Sequence, residues 1–197
     1  MGLAEIRPKL GGAVSGLFVP LCRALKLTPD ALTIVGGLVS LAAAALIATG
    51  DLLYGGVVLL VSGLFDMLDG ALARALARTS RLGALLDSVT DRITEAALFL
   101  GLAVFYLIRQ ESLPVVLTFL GLTGSFLVSY IRARAEGAGI DCRVGVFTRP
   151  ERVITMSAGL IVDQVAIALW VLVVLTSVTV VQRMVHVYRQ AGKPTAD

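Results

Sequence analysis

Long apolar stretches separated by short polar breaks make up most of the chain from residue 31 onward. They predict helices over about 31–49, 53–76, 83–108, 114–136, 150–162 and 164–188. About 20 apolar residues cross a bilayer, so the segment 150–162 is expected to be recessed or to continue a buried turn. The sequence Thr28-Pro29-Asp30 is typical of a helix start, because proline favours the first turn and Thr28 or Asp30 can cap it.

The first 27 residues differ from the rest because their apolar positions are mixed with arginine and lysine. This mixture suits an amphipathic helix lying along the membrane surface, with a frayed tail as the alternative. It does not resemble a cleavable signal, since no small-residue cleavage site follows an apolar core. We expect one domain over 1–197, with a juxtamembrane segment over 1–27 and a six-helix core over 28–190.

Composition strengthens the membrane interpretation. Of the 197 residues, 57% are hydrophobic and 16% are charged, and the mean hydropathy is +0.89. Soluble domains average about 25% charged residues, so we expect an all-α integral membrane protein with six transmembrane helices. Cys22, Cys142 and His186 form no zinc-binding pattern, and the two cysteines are expected to be reduced thiols.

Positive charge predicts the orientation of these helices. With the N-terminus, the second and fourth loops and the C-terminus on one side, every lysine and arginine except Arg109 lies on that side or in the helix ends that face it. The positive-inside bias makes this side cytoplasmic, so both termini are expected inside the cell membrane. Such a surface attracts anionic lipids and anionic substrates.

Four carboxylates interrupt the second and third apolar segments. The chain reads Asp66-x2-Asp69-Gly70-x2-Ala73-Arg74-x8-Gly83-x3-Asp87-x3-Asp91. Helical spacing places each pair on one face, at the cytoplasmic ends of two antiparallel neighbours, so the acidic faces are expected to converge. All-oxygen ligands select hard cations such as Mg²⁺ or Mn²⁺, and four carboxylates can share two such ions.

The acidic string has competing interpretations. A single intramembrane aspartate often serves only as a structural hydrogen-bonding group, whereas charged residues within apolar segments mark functional sites by default. A cation channel or carrier would distribute acids along a path across the membrane, but here they lie at one end. We do not expect nucleic-acid binding, because the arginines are in helix ends beside the acidic motif. An enzyme at the cytoplasmic interface is therefore the favoured interpretation.

The string resembles the signature of the CDP-alcohol phosphotransferases, D-x2-D-G-x2-A-R-x8-G-x3-D-x3-D, with every defined position present. The resemblance implies transfer of a phosphatidyl-type group from a CDP-linked lipid to an alcohol, with release of CMP. It implies Mg²⁺ or Mn²⁺, as two ions, bound by Asp66, Asp69 and Asp87. The fourth carboxylate, Asp91, is implied as a further metal neighbour and as the base that deprotonates the attacking hydroxyl.

The same resemblance implies a pocket for the CDP-linked lipid. Its expected residues are Gly70, Ala73, Arg74 and Gly83, with Asp30 and Thr33 from the entry to the first helix. Ser80 is added because a small hydroxyl residue at that position could meet a phosphate. The two glycines remove side chains where a bulky anion must approach the backbone.

Arginines elsewhere in the chain indicate the acceptor alcohol. They occur in Ser129-Tyr130-Ile131-Arg132-Ala133-Arg134-Ala135-Glu136, in Arg149-Pro150-Glu151-Arg152 and in Gln182-Arg183. Arginine binds phosphate in a fixed bidentate geometry, so an acceptor that carries its own phosphate suits this set. Ordinary positive-inside anchoring is the alternative, and the pairs Arg134–Glu136 and Glu151–Arg152 could also form simple ion pairs.

These motifs resemble those of the phosphatidylinositol phosphate synthases and their archaeal ether-lipid counterparts. The resemblance implies inositol 1-phosphate as the acceptor, CDP-diacylglycerol or an ether equivalent as the donor, and a homodimer. The implied acceptor pocket consists of Ser129, Arg132, Arg152 and Arg183. A phosphatidylglycerophosphate synthase, with glycerol 3-phosphate as the acceptor, is the nearest rival, followed by a serine-transferring relative. A cation carrier is the alternative of a different class.

Overall fold

Six α-helices make up the described part of the chain, and that part contains no strand. The computed structural model describes residues 27–76 and 80–191, together with Gly16, Pro20 and Cys22. The helices are α1 (Pro29–Thr49), α2 (Leu52–Ala75), α3 (Arg81–Ile108), α4 (Ser112–Gly137), α5 (Arg149–Ile161) and α6 (Val165–Ala191). Every predicted helix is present, with ends within three residues of the prediction. The surface helix predicted over 1–27 lies almost entirely outside the described residues.

Four of these helices, α1, α2, α4 and α6, are long and apolar enough to cross a membrane. The structure thus confirms an all-α integral membrane fold. The α3 helix has 28 residues but begins with the acidic segment. The 13 residues of α5 reach only about 20 Å, in agreement with the expectation of a recessed fifth helix.

Short turns make consecutive long helices antiparallel neighbours. Gly50 ends α1 at a φ of 94°, a left-handed conformation that glycine adopts without steric cost. Its N–H donates to the carbonyl of Ile47, and α2 begins two residues later. The chain therefore reverses sharply, and the acidic end of α2 lies beside the entry to α1.

The α1 helix packs against both α2 and α3, α4 packs against α3 and α6, and α5 packs against α2 and α6. Their shared core includes Ile47, Phe99, Leu102, Leu169 and Leu172, all almost fully buried. At Gly101, a side chain would collide with the backbone of Ala44, so glycine permits the close approach of α1 and α3. This packing fixes the ends of α1, α2, α3 and α5 around one site.

Candidate active site

The structure brings the four aspartates of the signature together. Asp66 and Asp69 lie one turn apart near the end of α2, and Asp87 and Asp91 lie one turn apart near the start of α3. Asp87 lies close enough to Asp66 and Asp69 for their negative charges to repel one another, and Asp91 interacts in the same way with Asp66 and Asp87. The helix spacing correctly predicted this convergence, and such a concentration of negative charge requires a cation nearby.

Asp69 is the most enclosed of the four, with 5% of its surface exposed. The hydroxyl of Thr33 donates a 2.7 Å hydrogen bond to its Oδ2 atom. Thr33 belongs to α1, where the same hydroxyl also contacts the carbonyl of Pro29 at 3.2 Å. A hydrogen bond to the charged form offsets part of the cost of burying this carboxylate.

Arg149, the first residue of α5, brings positive charge into the acidic cluster. Its Nη2 and Nε atoms lie 2.8 Å and 3.1 Å from Oδ2 of Asp66. Its Nη1 atom lies 2.9 Å from Oδ1 of Asp91 and also donates to the Asp91 carbonyl at 2.9 Å. Sequence reasoning missed this role, because no motif connects Arg149 with carboxylates 58 and 83 residues away. The sequence does place Arg149 three residues before Arg152, hence on the same side of α5. This spacing was the one sign that Arg149 belongs to the site.

A first cleft, of about 150 Å³, lies between the ends of α1, α2 and α3. Six of the seven residues predicted to bind the CDP-linked lipid line it together with Asp69 and Asp87: Asp30, Thr33, Gly70, Ala73, Ser80 and Gly83. The seventh, Arg74, lies beside the cleft, with its guanidinium 3.3 Å from the position that a Cβ atom at Gly70 would take. The predicted set therefore shares one location.

Two contacts define the shape of this cleft. The hydroxyl of Ser80 caps α3 by accepting a 2.8 Å hydrogen bond from the N–H of Gly83. A Cβ atom at Gly83 would come within 3.0 Å of that hydroxyl and 3.2 Å of Oδ1 of Asp30. Glycine at this position thus leaves room for a ligand against the backbone.

A second and larger cavity, of about 340 Å³, opens on the other side of Asp87 and Asp91. All four residues predicted to bind the acceptor phosphate line it: Ser129, Arg132, Arg152 and Arg183. They come from α4, α5 and α6, and residues of α3 complete the lining, so four helices build this cavity. Because Asp87 and Asp91 form part of the same wall, the arginines lie next to the acidic cluster.

The partners of these arginines differ from the ion pairs that the sequence suggested. Arg132 pairs with Glu136 at 2.8 Å, so Glu136 does not pair with Arg134 as considered above. Arg152 pairs with Glu95 at 2.8 Å, and its neighbour Glu151 instead completes the capping box of α5 with Thr148. The side chains of adjacent residues on a helix point in different directions, which explains why Glu151 does not form an ion pair with Arg152.

Arg183 is buried and donates to the carbonyl of Val144 at 2.9 Å and to the carbonyl of Val128. Within the described residues, its hydrogen bonds all go to neutral groups, and the positive charges of Arg132 and Arg152 act on it. The carboxylate of Glu136 offsets part of this repulsion. The guanidinium groups of Arg132, Arg152 and Arg183 nevertheless line one cavity and can donate hydrogen bonds to an anion there.

A third cavity, of about 290 Å³, is mainly apolar and runs between α2 and α5. Its polar end is formed by Asp66, Asp87, Asp91 and Arg149. Along the groove, Leu60, Leu64, Met67 and Ile154 are exposed at the outer surface. These exposed side chains continue the apolar lining to the outer surface of the helices, so an apolar path leads from that surface to the carboxylates.

The donor atoms of the acidic cluster suit Mg²⁺ or Mn²⁺, because every carboxylate contributes hard oxygen ligands. Among residues 27–76 and 80–191, no three His, Cys, Asp or Glu side chains already surround one point at metal-binding distance. Asp66 and Asp91 are turned towards Arg149 instead. A cation that bound to either of these two side chains would compete with Arg149 for their oxygens.

Comparison with known proteins places this site in a class. Residues 26–191 match the family model for CDP-alcohol phosphatidyltransferase. The chain belongs to this family, as its signature predicted, and it is an enzyme of the CDP-alcohol phosphotransferase type. The alternative of a cation carrier is thereby set aside.

Two groups of relatives are similar over most of their length. The phosphatidylinositol phosphate synthase of Mycobacteroides abscessus is 40% identical over 174 residues, which cover 84% of this chain and 79% of that protein. The archaetidylinositol phosphate synthase of Pyrococcus horikoshii is 36% identical over 183 residues, which cover 92% and 94%. Both names contain inositol phosphate, and they differ in the class of lipid.

Solved structures of a Mycobacterium tuberculosis phosphatidylinositol phosphate synthase share the fold. The complex with manganese and citrate superposes with a TM-score of 0.82 at 35% identity, covering 92% of this chain and 93% of that one. The complex with CDP-DAG gives a TM-score of 0.81 at 36% identity, covering 92% and 99%. The architecture described above is thus that of a phospholipid-synthesising transferase.

Proposed function

We propose that this enzyme transfers the phosphatidyl group of a CDP-linked lipid to inositol 1-phosphate, giving phosphatidylinositol phosphate and CMP. The observation that carries the proposal is the second cavity, where Arg132, Arg152 and Arg183 share a wall with Asp87 and Asp91. An acceptor that already bears a phosphate can bind the arginines and present a hydroxyl to the carboxylates. The names of the similar proteins support the same acceptor.

The reaction is a displacement at phosphorus. The acceptor hydroxyl oxygen attacks the phosphorus atom that carries the lipid, the bond from that phosphorus to the oxygen of CMP breaks, and CMP leaves. The hydroxyl proton passes to a base, which we assign to Asp91. Its side chain lines both the acceptor cavity and the apolar groove, so it borders the two substrates that must meet. Positioning and charge neutralisation carry most of the catalysis in such transfers.

The carboxylates of Asp66, Asp69, Asp87 and Asp91 would hold the divalent cations, which we propose are two Mg²⁺ or Mn²⁺ ions. When bound, such ions neutralise the diphosphate and stabilise the leaving CMP. Manganese in the structure of a similar synthase is consistent with this choice. The first cleft would take the nucleotide, with Arg74 near the diphosphate and Gly70 and Gly83 leaving space for it.

The apolar groove between α2 and α5 would hold the hydrocarbon chains of the donor. It begins at the carboxylates and ends among exposed apolar side chains, which would face the membrane. This arrangement lets the lipid enter sideways from the bilayer while its headgroup reaches the polar site. The groove suits ester-linked and ether-linked chains alike, since only hydrocarbon packing is involved.

We further propose that residues 1–197 form one domain in the cell membrane, with both termini and the active site on the cytoplasmic side. The concentration of arginine and lysine on that side supports this orientation. The resemblance to the family also supports a homodimer. Labelling of single cysteines from either side of sealed vesicles tests the orientation, and light scattering of the purified protein tests the oligomeric state.

The decisive experiment supplies purified protein with CDP-diacylglycerol, Mg²⁺ or Mn²⁺ and one acceptor at a time, and measures release of CMP. We expect release with inositol 1-phosphate and little with glycerol 3-phosphate or serine. Preference for glycerol 3-phosphate would support the rival synthase, which the three arginines could equally serve. Metal flux without release of CMP would contradict the enzymatic reaction altogether.

Two variants and one control test the carboxylates in the same assay. Asp66→Asn and Asp87→Asn remove charge from the cluster, and each is expected to lower the rate by about 100-fold or more, the scale of losing one major electrostatic stabiliser. Asp141→Asn is the matched control, because the side chain of Asp141 is exposed and, among the described residues, pairs only with the exposed Arg143. Its activity should equal that of the unmodified enzyme.

A further inference from the structure

Glu95 continues the acidic spacing of α3 but does not join the aspartates. It follows Asp91 by four residues, as Asp91 follows Asp87, so spacing alone would make it a further carboxylate of the same face. Its side chain instead contacts Arg152 of α5, with Oε1 2.8 Å from Nε and Oε2 3.4 Å from Nη2. The pair joins two helices across 57 residues of sequence.

The pair is deeply buried, with 9% of Glu95 and 3% of Arg152 exposed. Removing two charges from water is costly, and such a pair often stabilises a fold no better than apolar residues would. Its presence therefore needs a reason beyond stability. The neighbouring polar groups point to a function, because Arg152 also lines the cavity that contains Ser129, Arg132 and Arg183.

One nitrogen of Arg152 has no hydrogen-bond partner among the residues that the structure describes. Nε and Nη2 face Glu95, whereas Nη1 is buried and makes no hydrogen bond within the described part of the chain. A guanidinium is planar, so fixing two of its nitrogens fixes the direction of the third. A buried donor without a partner costs free energy that a bound acceptor atom can offset. Arg152 is one of the residues that line the second cavity, so an anion bound there is the acceptor that we consider.

We propose that Glu95 is a positioning residue for the acceptor: it holds Arg152 so that Nη1 is directed at the phosphate of the phosphorylated alcohol. This inference rests on the proposed function, since it assumes that the second cavity binds that phosphate. Glu95 touches neither the reacting atoms nor the metal in this proposal. It acts through Arg152, and its removal would release the guanidinium to turn towards other carboxylates, of which Asp91 lies one turn away.

The test compares Glu95→Gln with the unmodified enzyme in steady-state kinetics with both substrates. Glutamine keeps the size of the side chain but loses the charge that fixes Arg152. We expect the KM for inositol 1-phosphate to rise about 10-fold or more, the effect of losing one charge-assisted hydrogen bond. The KM for the CDP-linked lipid and the metal concentration for half-maximal activity should stay within twofold. Glu111→Gln, at an exposed glutamate in the turn before α4, is the matched control.

Arg152 variants separate positioning from a merely structural role. If Glu95 acts through Arg152, Glu95→Gln combined with Arg152→Ala will be no worse in acceptor KM than Arg152→Ala alone, because interacting residues are not additive. Glu95→Asp, which keeps the charge, should recover part of the loss. If Glu95→Gln does not yield monodisperse protein, Arg152→Lys takes its place in the test. Lysine keeps a positive charge opposite Glu95 but lacks the planar set of donors of the guanidinium, so the KM for the acceptor should rise likewise.

Several outcomes would overturn the inference. An unchanged acceptor KM in Glu95→Gln, or additive losses in the double variant, would show that Glu95 does not act through Arg152. A raised metal requirement would make it a metal-site residue instead. The proposed function fails separately, since it is tested on the unmodified enzyme: if that enzyme releases no CMP with inositol 1-phosphate, the acceptor is wrong whatever Glu95 does.

Discussion

The side-chain hydroxyl of Thr33 donates a 2.7 Å hydrogen bond to Oδ2 of Asp69, although 36 residues separate the two in the chain. The contact joins the entry of α1 to the acidic face of α2. The sequence predicts Thr33 as a residue of the pocket for the CDP-linked lipid, and in the structure Thr33 lines the first cleft. Its hydrogen bond indicates that Thr33 also orients the buried carboxylate of Asp69.

Replacing Thr33 with valine preserves shape and removes this donor. We expect Thr33→Val to lower activity at limiting Mn²⁺ by about 10-fold, since a hydrogen bond to a charged group contributes about 1.5–3 kcal/mol. Saturating metal should recover part of the loss. Thr49→Val is the control, because Thr49 ends the same helix at an exposed position far from the cluster. Equal behaviour of the two variants would rule out an orienting role for Thr33.

The contact of Arg149 with Asp66 and Asp91 predicts a dependence of stability on metal. Arg149→Ala leaves the carboxylates without this counter-charge, and breaking a partly buried ion pair of this kind costs about 3 kcal/mol. We expect a lower thermal midpoint without divalent cations, and a larger rise on adding Mn²⁺ than the unmodified protein shows. Thermal unfolding in detergent, with and without Mn²⁺, measures both effects.

The control for that measurement is Arg143→Ala, which removes an exposed arginine paired with Asp141. Exposed pairs contribute little to stability, so its midpoint should not change. If Arg149→Ala lowers the thermal midpoint equally with and without Mn²⁺, the result would show that Arg149 only stabilises the packing of α5 and does not offset the charge of the aspartates.

The limited space around Gly83 predicts that a side chain at this position raises the KM for the donor substrate and leaves the KM for the acceptor unchanged. Gly83→Ala would push its methyl group against Ser80 and Asp30, both of which line the first cleft. Overpacking of this kind costs about 1–3 kcal/mol, so the KM for the CDP-linked lipid should rise about fivefold or more, with the KM for the acceptor unchanged. Gly137→Ala, where no atom lies within 4 Å of the added Cβ, should leave both values unchanged.

Differences between the arginines of the second cavity predict which substitution raises the KM for the acceptor more. Arg132 is half exposed and already paired with Glu136, whereas the hydrogen bonds of Arg183 go to backbone carbonyls. Arg183→Lys cannot reproduce the planar fork and should raise the acceptor KM more than Arg132→Lys does, with roughly 10-fold between them. The reverse order in acceptor titrations would show that the exposed arginine makes the principal phosphate contact.

The sequence was sufficient for the helices and for the acidic face, because both depend on local periodicity and on a long motif. It was also sufficient to group Ser129, Arg132, Arg152 and Arg183, which the structure gathers around one cavity. It could not supply the partners of Arg149 and Arg152. Arg149 pairs with Asp66 and Asp91, and Arg152 pairs with Glu95. All three carboxylates lie on other helices, so the pairing depends on how α5 packs and not on spacing along the chain.

Asp87 borders all three cavities. In the proposed reaction, the nucleotide, the phosphorylated alcohol and the hydrocarbon chains therefore approach this carboxylate from three directions and do not compete for one entrance. The same geometry separates the products as soon as the phosphorus–oxygen bond breaks. CMP would leave from the first cleft, while the new phospholipid can return to the bilayer along the apolar groove without being extracted from it.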